Sequence, residues 1–325
     1  MIQTRSAQIT RWLLALSCTL WLAEPSDLEA RTPPQFGGAP PENLRPTDGQ
    51  RFRVDLLTVD PGVELYSVWG LTALRLYDSR SGRDVTFDYG LFQPDPLFLL
   101  KFLKNQPAYL LWVSSLDDSL RQYQRLNRSV HAQQILMSDA EAEALLRRLA
   151  INSLPQNRVY AYHHYRNNCT TRLRDILDED IFAGATQRIY EARENDTDLR
   201  ELASDPLDYD PAYWIAINLI QGTLVDQPVN AWQEMFLPRK YMHYLDEWRQ
   251  TPAGAARIGP IQTVQEATQP VDTSGGTLAW TLFLVLWAAL IAACFAWPAF
   301  FSQNQARSRS ARIAYRVGQI SRYAW

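Results

Sequence analysis

One stretch of the chain changes from the pattern of a strand to that of a helix: NRVYAYHHYRNNCTTRLRDIL, from Asn157 to Leu177. Its first half alternates aromatic and polar residues, which is typical of a strand. Its second half places leucine and isoleucine after Cys169 at helical spacing. Cys169 is therefore predicted on the inward face of a helix's first turn, with Asn167 or Asn168 as the N-cap.

The sequence before this stretch indicates a sheet followed by a helix. Residues 51–89 alternate apolar and polar residues in short runs separated by turn residues, which predicts a strand meander. A further strand pair is predicted over Tyr109–Val113 and Gln133–Met137. Ser138 and Glu141 form a capping-box pattern at the start of a helix. The predicted class is α+β, with a mainly antiparallel sheet and helices on one side. Later helices are predicted over Tyr213–Leu224 and Leu237–Trp248.

Both ends of the chain have the composition of membrane-targeting segments. Residues 1–30 carry two arginines and then a short apolar run, as in a signal sequence or an uncleaved signal anchor. Residues 277–301 are almost wholly apolar and long enough for a transmembrane helix. The tail, 302–325, has five arginines and no acidic residue, which predicts a cytoplasmic location.

The remaining chain divides into one domain and two linkers. Residues 31–50 are rich in Pro and Gly, and residues 251–276 lack apolar periodicity, so both are predicted linkers around a domain at 50–250. The sequence thus predicts a bacterial inner-membrane protein whose main domain is periplasmic. The formal net charge of -3, with signs scattered along the chain, argues against nucleic-acid binding.

The domain contains one thiol that could take part in chemistry. Of the three cysteines, Cys18 lies in the signal segment and Cys294 in the predicted span, which leaves Cys169 without a disulfide partner. A helix N-terminus favours the nucleophilic thiolate, and its amides can donate to an oxyanion. The alternative is that Cys169 is a small buried hydrophobe.

A nucleophilic cysteine needs a base, usually a histidine. If the strand continues past Tyr162, His164 shares a face with Tyr160 and Tyr162, which makes it the candidate base; the alternative is a solvated strand histidine. No spacing typical of a metal site is present, so neither a metal nor another cofactor is predicted. The chain has four histidines: His131, His163, His164 and His243.

Several segments together resemble a known family. The chain is similar to the N-terminal periplasmic domain of the Lnb family, bacterial lipoprotein N-acyltransferases that depend on a cysteine. The matching segments, which span about residues 50 to 250, are Gly70–Leu76, Phe87–Phe92, Tyr160 with Tyr162, Asn168–Arg172 and Glu234–Pro238.

The resemblance implies a papain-like, circularly permuted NlpC-type fold, in which a histidine on an early strand pairs with the cysteine. Leu71 stands at the position that matches this histidine. Three hypotheses follow. His164 is recruited as the base, catalysis is lost and binding is kept, or the helix dipole alone sustains a slow thiolate.

The leading functional hypothesis is thiol-mediated acyl transfer at the outer face of the inner membrane. Cys169 would attack a phospholipid ester and pass the acyl group to an amine, so the implied partners are membrane phospholipid and lipoproteins. A second hypothesis is a catalytically inactive, membrane-tethered domain that binds lipid or lipoprotein. A third is a cysteine amidase or peptidase that acts on cell-wall peptide, by analogy of fold. The sequence assigns no substrate-binding residue and no oligomeric state.

Overall fold

The computed structural model describes residues 40–268, except 48, 65, 93–106 and 208–210, together with residues 281–282 and 284–292. The predicted signal segment and the basic tail lie outside the described residues, as do the first part of the 31–50 linker and most of the predicted span 277–301. The described residues of that span are helical. No helix in the described part of the chain is long and apolar enough to cross a membrane.

The described strands form one large sheet and one small one. They are β1 (Phe52–Val59), β2 (Leu71–Asp78), β3 (Arg83–Phe92), β4 (Ala108–Ser115), β5 (Val130–Ile135), β6 (Val159–Ala161), β7 (Glu194–Asp198), β8 (Pro228–Asn230) and β9 (Ile258–Gln265). The large sheet is antiparallel, in the order β6-β4-β3-β2-β1-β5-β9, and β7 pairs with β8.

The predicted meander is confirmed by β1, β2 and β3, which pair in sequence order through Leu56 with Leu74 and Leu74 with Phe87. The predicted pairing of the next two strands is wrong. Both strands exist, but β4 lies between β3 and β6, whereas β5 lies between β1 and β9. The reason is that the chain between them forms a helix, which carries it from one side of the meander to the other.

Nine α-helices lie between residues 116 and 255 of the described chain. They are α1 (Leu116–Arg125), α2 (Asp139–Asn152), α3 (Cys169–Asp180), α4 (Ala185–Glu191), α5 (Leu199–Ser204), α6 (Pro211–Ile220), α7 (Ala231–Glu234), α8 (Pro238–Arg249) and α9 (Pro252–Ala255). The capping box predicted at Ser138 is present at the start of α2. The helix that opens with Cys169, α3, packs against β2 and β3.

Both faces of the sheet are covered, which corrects the prediction of helices on one side only. Leu56 packs in the larger core cluster together with Leu173 of α3. Leu57, the next residue, points the other way and packs in a second cluster with Leu116 and Tyr123 of α1. All eight residues of β1 are buried because this strand lies inside the sheet and is covered on both faces.

Two predicted boundaries differ from the structure. The run 157–165 is a strand only over Val159–Ala161, and the chain then turns so that the amide and carbonyl of His163 bond those of Asn167. The predicted linker 251–276 contains α9 and β9, and β9 forms the edge of the sheet beside β5. Apolar periodicity misses β9 because six of the eight residues of this edge strand are exposed or only partly buried.

Candidate active site

The start of α3 is fixed by its capping residue, as the sequence predicts. The side-chain oxygen of Asn168 accepts hydrogen bonds from the backbone N–H groups of Thr170 and Thr171, both at 2.9 Å. Thr171 returns the bond by accepting from the backbone N–H of Asn168 at 2.8 Å. Cys169 is therefore held at the first helical position, at the positive end of the helix dipole.

The surroundings of the sulfur oppose the effect of the helix dipole. Cys169 is partly buried, and Thr170 Oγ1 lies 3.9 Å from its sulfur. Burial raises the pKa of the Cys169 thiol to about 11, although backbone N–H groups of Thr72 and Thr170 favour the thiolate. The sequence predicts a lowered thiol pKa from the helix position alone. In the folded domain the loss of solvation is the larger effect.

The cavity at the sulfur is small. Its volume of about 40 Å³ is room for little more than a water molecule. It is lined by Tyr66, Trp69, Gly70, Leu71, Gly90, Tyr109, Tyr162, His164, Asn168, Cys169, Thr170, Phe236 and Pro238.

Leu71 occupies the space beside Cys169. Gly90 lies between Leu71 and Cys169 and, because it has no side chain, leaves space for the side chain of Leu71. A Cβ placed at Gly90 would collide with Leu71 Cδ1 and would lie 3.8 Å from Cys169 Cβ. The structure therefore places an aliphatic side chain next to the cysteine. This is the position where the resemblance implies a histidine, and leucine cannot accept a proton.

A partly buried carboxylate lies next to Gly90, on the same side as Leu71. Asp88 Oδ1 accepts a 2.6 Å hydrogen bond from the backbone N–H of Gly90, and Tyr123 also bonds this carboxylate. Burial raises the pKa of Asp88 to about 6, while the guanidinium of Arg128 lowers it. Sequence reasoning missed Asp88; an acid between two aromatic residues in the middle of a strand was the available signal.

His164 lies in an aromatic cage. Its Nδ1 is 3.1 Å from the hydroxyl of Tyr162, and its ring meets those of Trp69 and Phe236 edge-on, with centroids 4.4 and 5.4 Å apart. Burial, with a smaller effect from His163, lowers the pKa of His164 to about 3, so the ring is neutral near pH 7. Its Nε2 is buried without a hydrogen-bond partner among the described residues.

The two predicted site residues line one cavity, but no hydrogen bond joins them in the described structure. Cys169 Sγ and the imidazole of His164 each have other neighbours. The assignment of His164 as the base therefore stays a prediction.

A second and larger cavity lies on the other side of His164. Its volume is about 350 Å³, and Trp69, Tyr162 and His164 line both cavities. Its remaining lining residues are Pro107, His163, Tyr165, Arg166, Leu199, Ile217, Gln221, Gly222, Leu224 and Val225. Sequence reasoning missed this cavity, because its walls come from five separated segments of the chain.

The described residues contain no group of three or more His, Cys, Asp or Glu side chains that could hold a metal ion. The titratable groups described near Cys169 are Asp88, His164 and the surrounding tyrosines. Burial raises the pKa of Tyr109 and Tyr162 above the ordinary value, so their hydroxyls remain protonated near neutral pH.

Comparison with known families gives one match. Residues 41–205, about half of the chain, match the model described as the Lnb N-terminal periplasmic domain. The matched range contains Leu71, Asp88, His164 and Cys169. Searches of curated proteins and of solved structures found no match.

Proposed function

This chain belongs to the family of Lnb N-terminal periplasmic domains, and from that premise we propose that its domain binds acyl lipids without transferring their acyl groups. The proposal keeps the lipid binding that the family's acyl transfer requires, and it leaves out the transfer through the cysteine thiol. The domain would hold lipid or lipoprotein at the outer face of the bacterial inner membrane.

The observation that carries the proposal is the side chain of Leu71 beside Cys169, with no imidazole bonded to the sulfur in the described structure. A cysteine attacks an ester as the thiolate, or with a base that removes its proton. With a thiol pKa of about 11, only roughly one molecule in ten thousand carries the thiolate at pH 7.

The proposed location combines the family with the sequence. The matched domain is described as periplasmic, which supports a periplasmic main domain. The apolar segment 277–301 supports a membrane anchor, and the arginines after it support a cytoplasmic tail. A helix that opens with cysteine and packs on an antiparallel sheet supports the papain-like, permuted fold.

A second candidate function is slow acyl transfer, which Asp88 favours. With a pKa of about 6 this carboxylate is mostly ionised at pH 7, and it lies near Gly90 on the side of Cys169. It would take the thiol proton, and the thiolate would attack a phospholipid ester. The attack would form a thioester on Cys169 and release the alkoxide, which would take a proton and leave as lysophospholipid. An amine would then attack the thioester, forming an amide and returning the thiol.

The two functions differ in whether an acyl group is found on Cys169. The full chain in nanodiscs is incubated with a phospholipid that carries an alkyne-tagged acyl chain, and covalent and reversible binding are measured separately. We expect reversible binding that is equal in the wild type and in Cys169→Ala, without a covalent adduct. An adduct that hydroxylamine releases, and that Cys169→Ala abolishes, would establish acyl transfer and overturn the proposal.

A further inference from the structure

The larger cavity has the dimensions of a ligand site, whereas the cavity at Cys169 does not. Small-molecule sites occupy from about 300 Å³ upward, and the larger cavity has about 350 Å³ against about 40 Å³ at the thiol. A lipid that reached Cys169 with its ester group would need another place for its hydrocarbon chain. The larger cavity, which shares lining residues with the cavity at Cys169, provides a space for that chain.

The lining of the larger cavity is mainly apolar, with a few polar atoms that lack partners. Leu199, Ile217 and Val225 are among its aliphatic walls. Tyr165 Oη and Gln221 Oε1 are buried and have no hydrogen-bond partner among the described residues, as is true of His164 Nε2. Buried polar atoms are normally paired, so these atoms offer hydrogen bonds to an occupant of the cavity.

Arg166 is the single arginine, lysine or acidic residue among the described residues that line this cavity. It is exposed, and no described carboxylate forms an ion pair with it. An apolar cavity with one free cation at its edge fits an amphiphile whose hydrocarbon chain is buried and whose headgroup is anionic.

The segment that supplies one wall of the cavity also exposes apolar side chains. Leu219 of α6 and Leu224, which lines the cavity, are 80% and 87% exposed, and Trp214 and Ile215 are also exposed. Exposed large apolar side chains concentrated in one short segment, here 214–224, favour an interaction site over ordinary surface. The helical residues 284–292 of the same chain expose apolar side chains as well, which favours a bilayer as a neighbour of the chain.

We propose that this cavity holds one acyl chain of an anionic lipid, that Arg166 binds the headgroup, and that the lipid enters from the bilayer across Leu219 and Leu224. The proposal deepens the proposed function and rests on it for the class of ligand. Residues 217–225 supply one wall and lie outside the matched range 41–205, so the family match does not itself imply this site.

The test uses a photoreactive fatty acid and a photoreactive lysophosphatidylglycerol, each with a diazirine in its acyl chain. The full chain is placed in nanodiscs of phosphatidylcholine and irradiated, and crosslinked peptides are identified by mass spectrometry. We expect crosslinks in peptides that contain residues 162–166 and 217–225. Stronger labelling by lysophosphatidylglycerol would identify a phospholipid as the source, and stronger labelling by the fatty acid would identify a free fatty acid.

Gly222→Phe is the variant that should block the site. A Cβ at Gly222 meets no atom within 4 Å, so the new ring can enter open space without disturbing the fold. We expect its crosslinking to fall to background, with an unchanged circular dichroism spectrum. Ile189→Phe is the matched control, because Ile189 is exposed on α4 and does not line the cavity. Crosslinking of Gly222→Phe at the wild-type level would overturn the proposed site.

Arg166→Gln tests the headgroup contact separately. We expect about threefold to fivefold weaker binding of lysophosphatidylglycerol at low salt, as for an exposed ion pair, and unchanged binding of a neutral monoacylglycerol. An equal loss for both ligands would overturn the role of Arg166. If the wild type binds neither probe, the proposed function itself fails, whereas binding that survives Gly222→Phe contradicts only the site.

Discussion

The two cavities on either side of His164 differ in what they contain. The cavity at Cys169 is lined by the thiol and by the aliphatic side chain of Leu71, in a volume of about 40 Å³, and the partly buried carboxylate of Asp88 lies behind Gly90 in its wall. The cavity beyond His164 has aliphatic walls, together with polar atoms and one arginine side chain that have no partner among the described residues, in about 350 Å³. The groups suited to covalent chemistry thus lie beside a small cavity, while the space large enough for a ligand lies next to it.

The position of Cys169 and its reactivity are separate properties of this domain. The cap at Asn168 places Cys169 at the end of a helix, where a thiolate is favoured. The pKa of the Cys169 thiol is nevertheless raised, because burial removes the solvent that would stabilise the thiolate. Changes to pH or to single side chains can restore or remove reactivity without moving the helix.

The largest effect is expected from pH. In a Cys18→Ser, Cys294→Ser background, the rate of alkylation of Cys169 by iodoacetamide should rise about tenfold per pH unit, or roughly 1000-fold from pH 7 to pH 10, because the thiolate fraction rises in that proportion below the pKa. Glutathione measured in parallel corrects for the reagent, and circular dichroism checks the fold. A plateau that begins near pH 8 would contradict the raised pKa.

The second effect concerns Leu71. Leu71→His should raise the alkylation rate at pH 7 about 100-fold, since an imidazole beside the sulfur can remove its proton and Asp88 lies close enough to orient the ring. The measurement is the same alkylation assay with the other two cysteines replaced.

Leu71→Gln is the matched control, because glutamine is similar in size and polar but does not titrate. It should leave the alkylation rate close to that of the wild type. An equal increase in both variants would mean that Leu71 limits access to Cys169, and that the missing base is not the reason for low reactivity.

The third effect is on stability. Burial raises the folded-state pKa of Asp88 from 3.8 to about 6, so the folded state favours the protonated carboxyl. This contribution to the free energy of unfolding is present below pH 4 and is lost as pH rises through 6. Asp88→Asn should therefore raise the free energy of unfolding at pH 7.5 by about 1 to 2 kcal/mol, allowing for partial exposure, and should have little effect at pH 4. Urea unfolding in detergent, followed by tryptophan fluorescence, measures both values.

Asp60→Asn is the control of opposite sign. Arg239 and His131 hold the pKa of Asp60 at about 2, despite its burial, so its contribution is present above pH 4 and is lost as pH falls toward 2. This variant should be less stable than the wild type at pH 7.5. A loss of stability in Asp88→Asn at that pH would show that Asp88 is stabilising in its ionised form.

The smallest effect is expected from His164. Phenylalanine fits the aromatic cage of Trp69, Tyr165 and Phe236, so His164→Phe should preserve the partition between the cavities. We expect the alkylation rate at pH 7 to change less than about threefold, whereas loss of a true general base costs about 100-fold or more. A decrease of that larger size would establish His164 as the base.

The parts of the fold that the sequence predicts are those with local signals. Alternation predicts the β1–β3 meander, and the capping patterns at Ser138 and Asn168 predict where two helices begin. The order of the outer strands depends on contacts between distant segments. Ile135 of β5 pairs with Ile258 of β9, for example, and no local pattern contains that information.

The site follows the same division. Cys169 and His164 are both predicted from the sequence and both line the smaller cavity, and the departure at Leu71 is visible in the sequence too. The strand assigned to His164 ends at Ala161, because the chain closes a turn between His163 and Asn167. The burial of the thiol and the position of Asp88 arise from tertiary packing. The helix-dipole argument could therefore predict the direction of one effect on the thiol pKa, but not the larger effect that opposes it.

The hydrogen bonds that hold α3 in place have a consequence for how this protein can diverge. The side-chain amide of Asn168 donates to the carbonyl of Phe236 at 3.0 Å, and Arg174 donates to that of Trp232 at 2.7 Å. Both acceptors are main-chain atoms, which every amino acid supplies, and both lie beyond residue 205, where the family match ends. Substitutions at 232 and 236 can therefore accumulate without removing these anchors. Relatives could share this support for α3 long after sequence similarity in the region has faded.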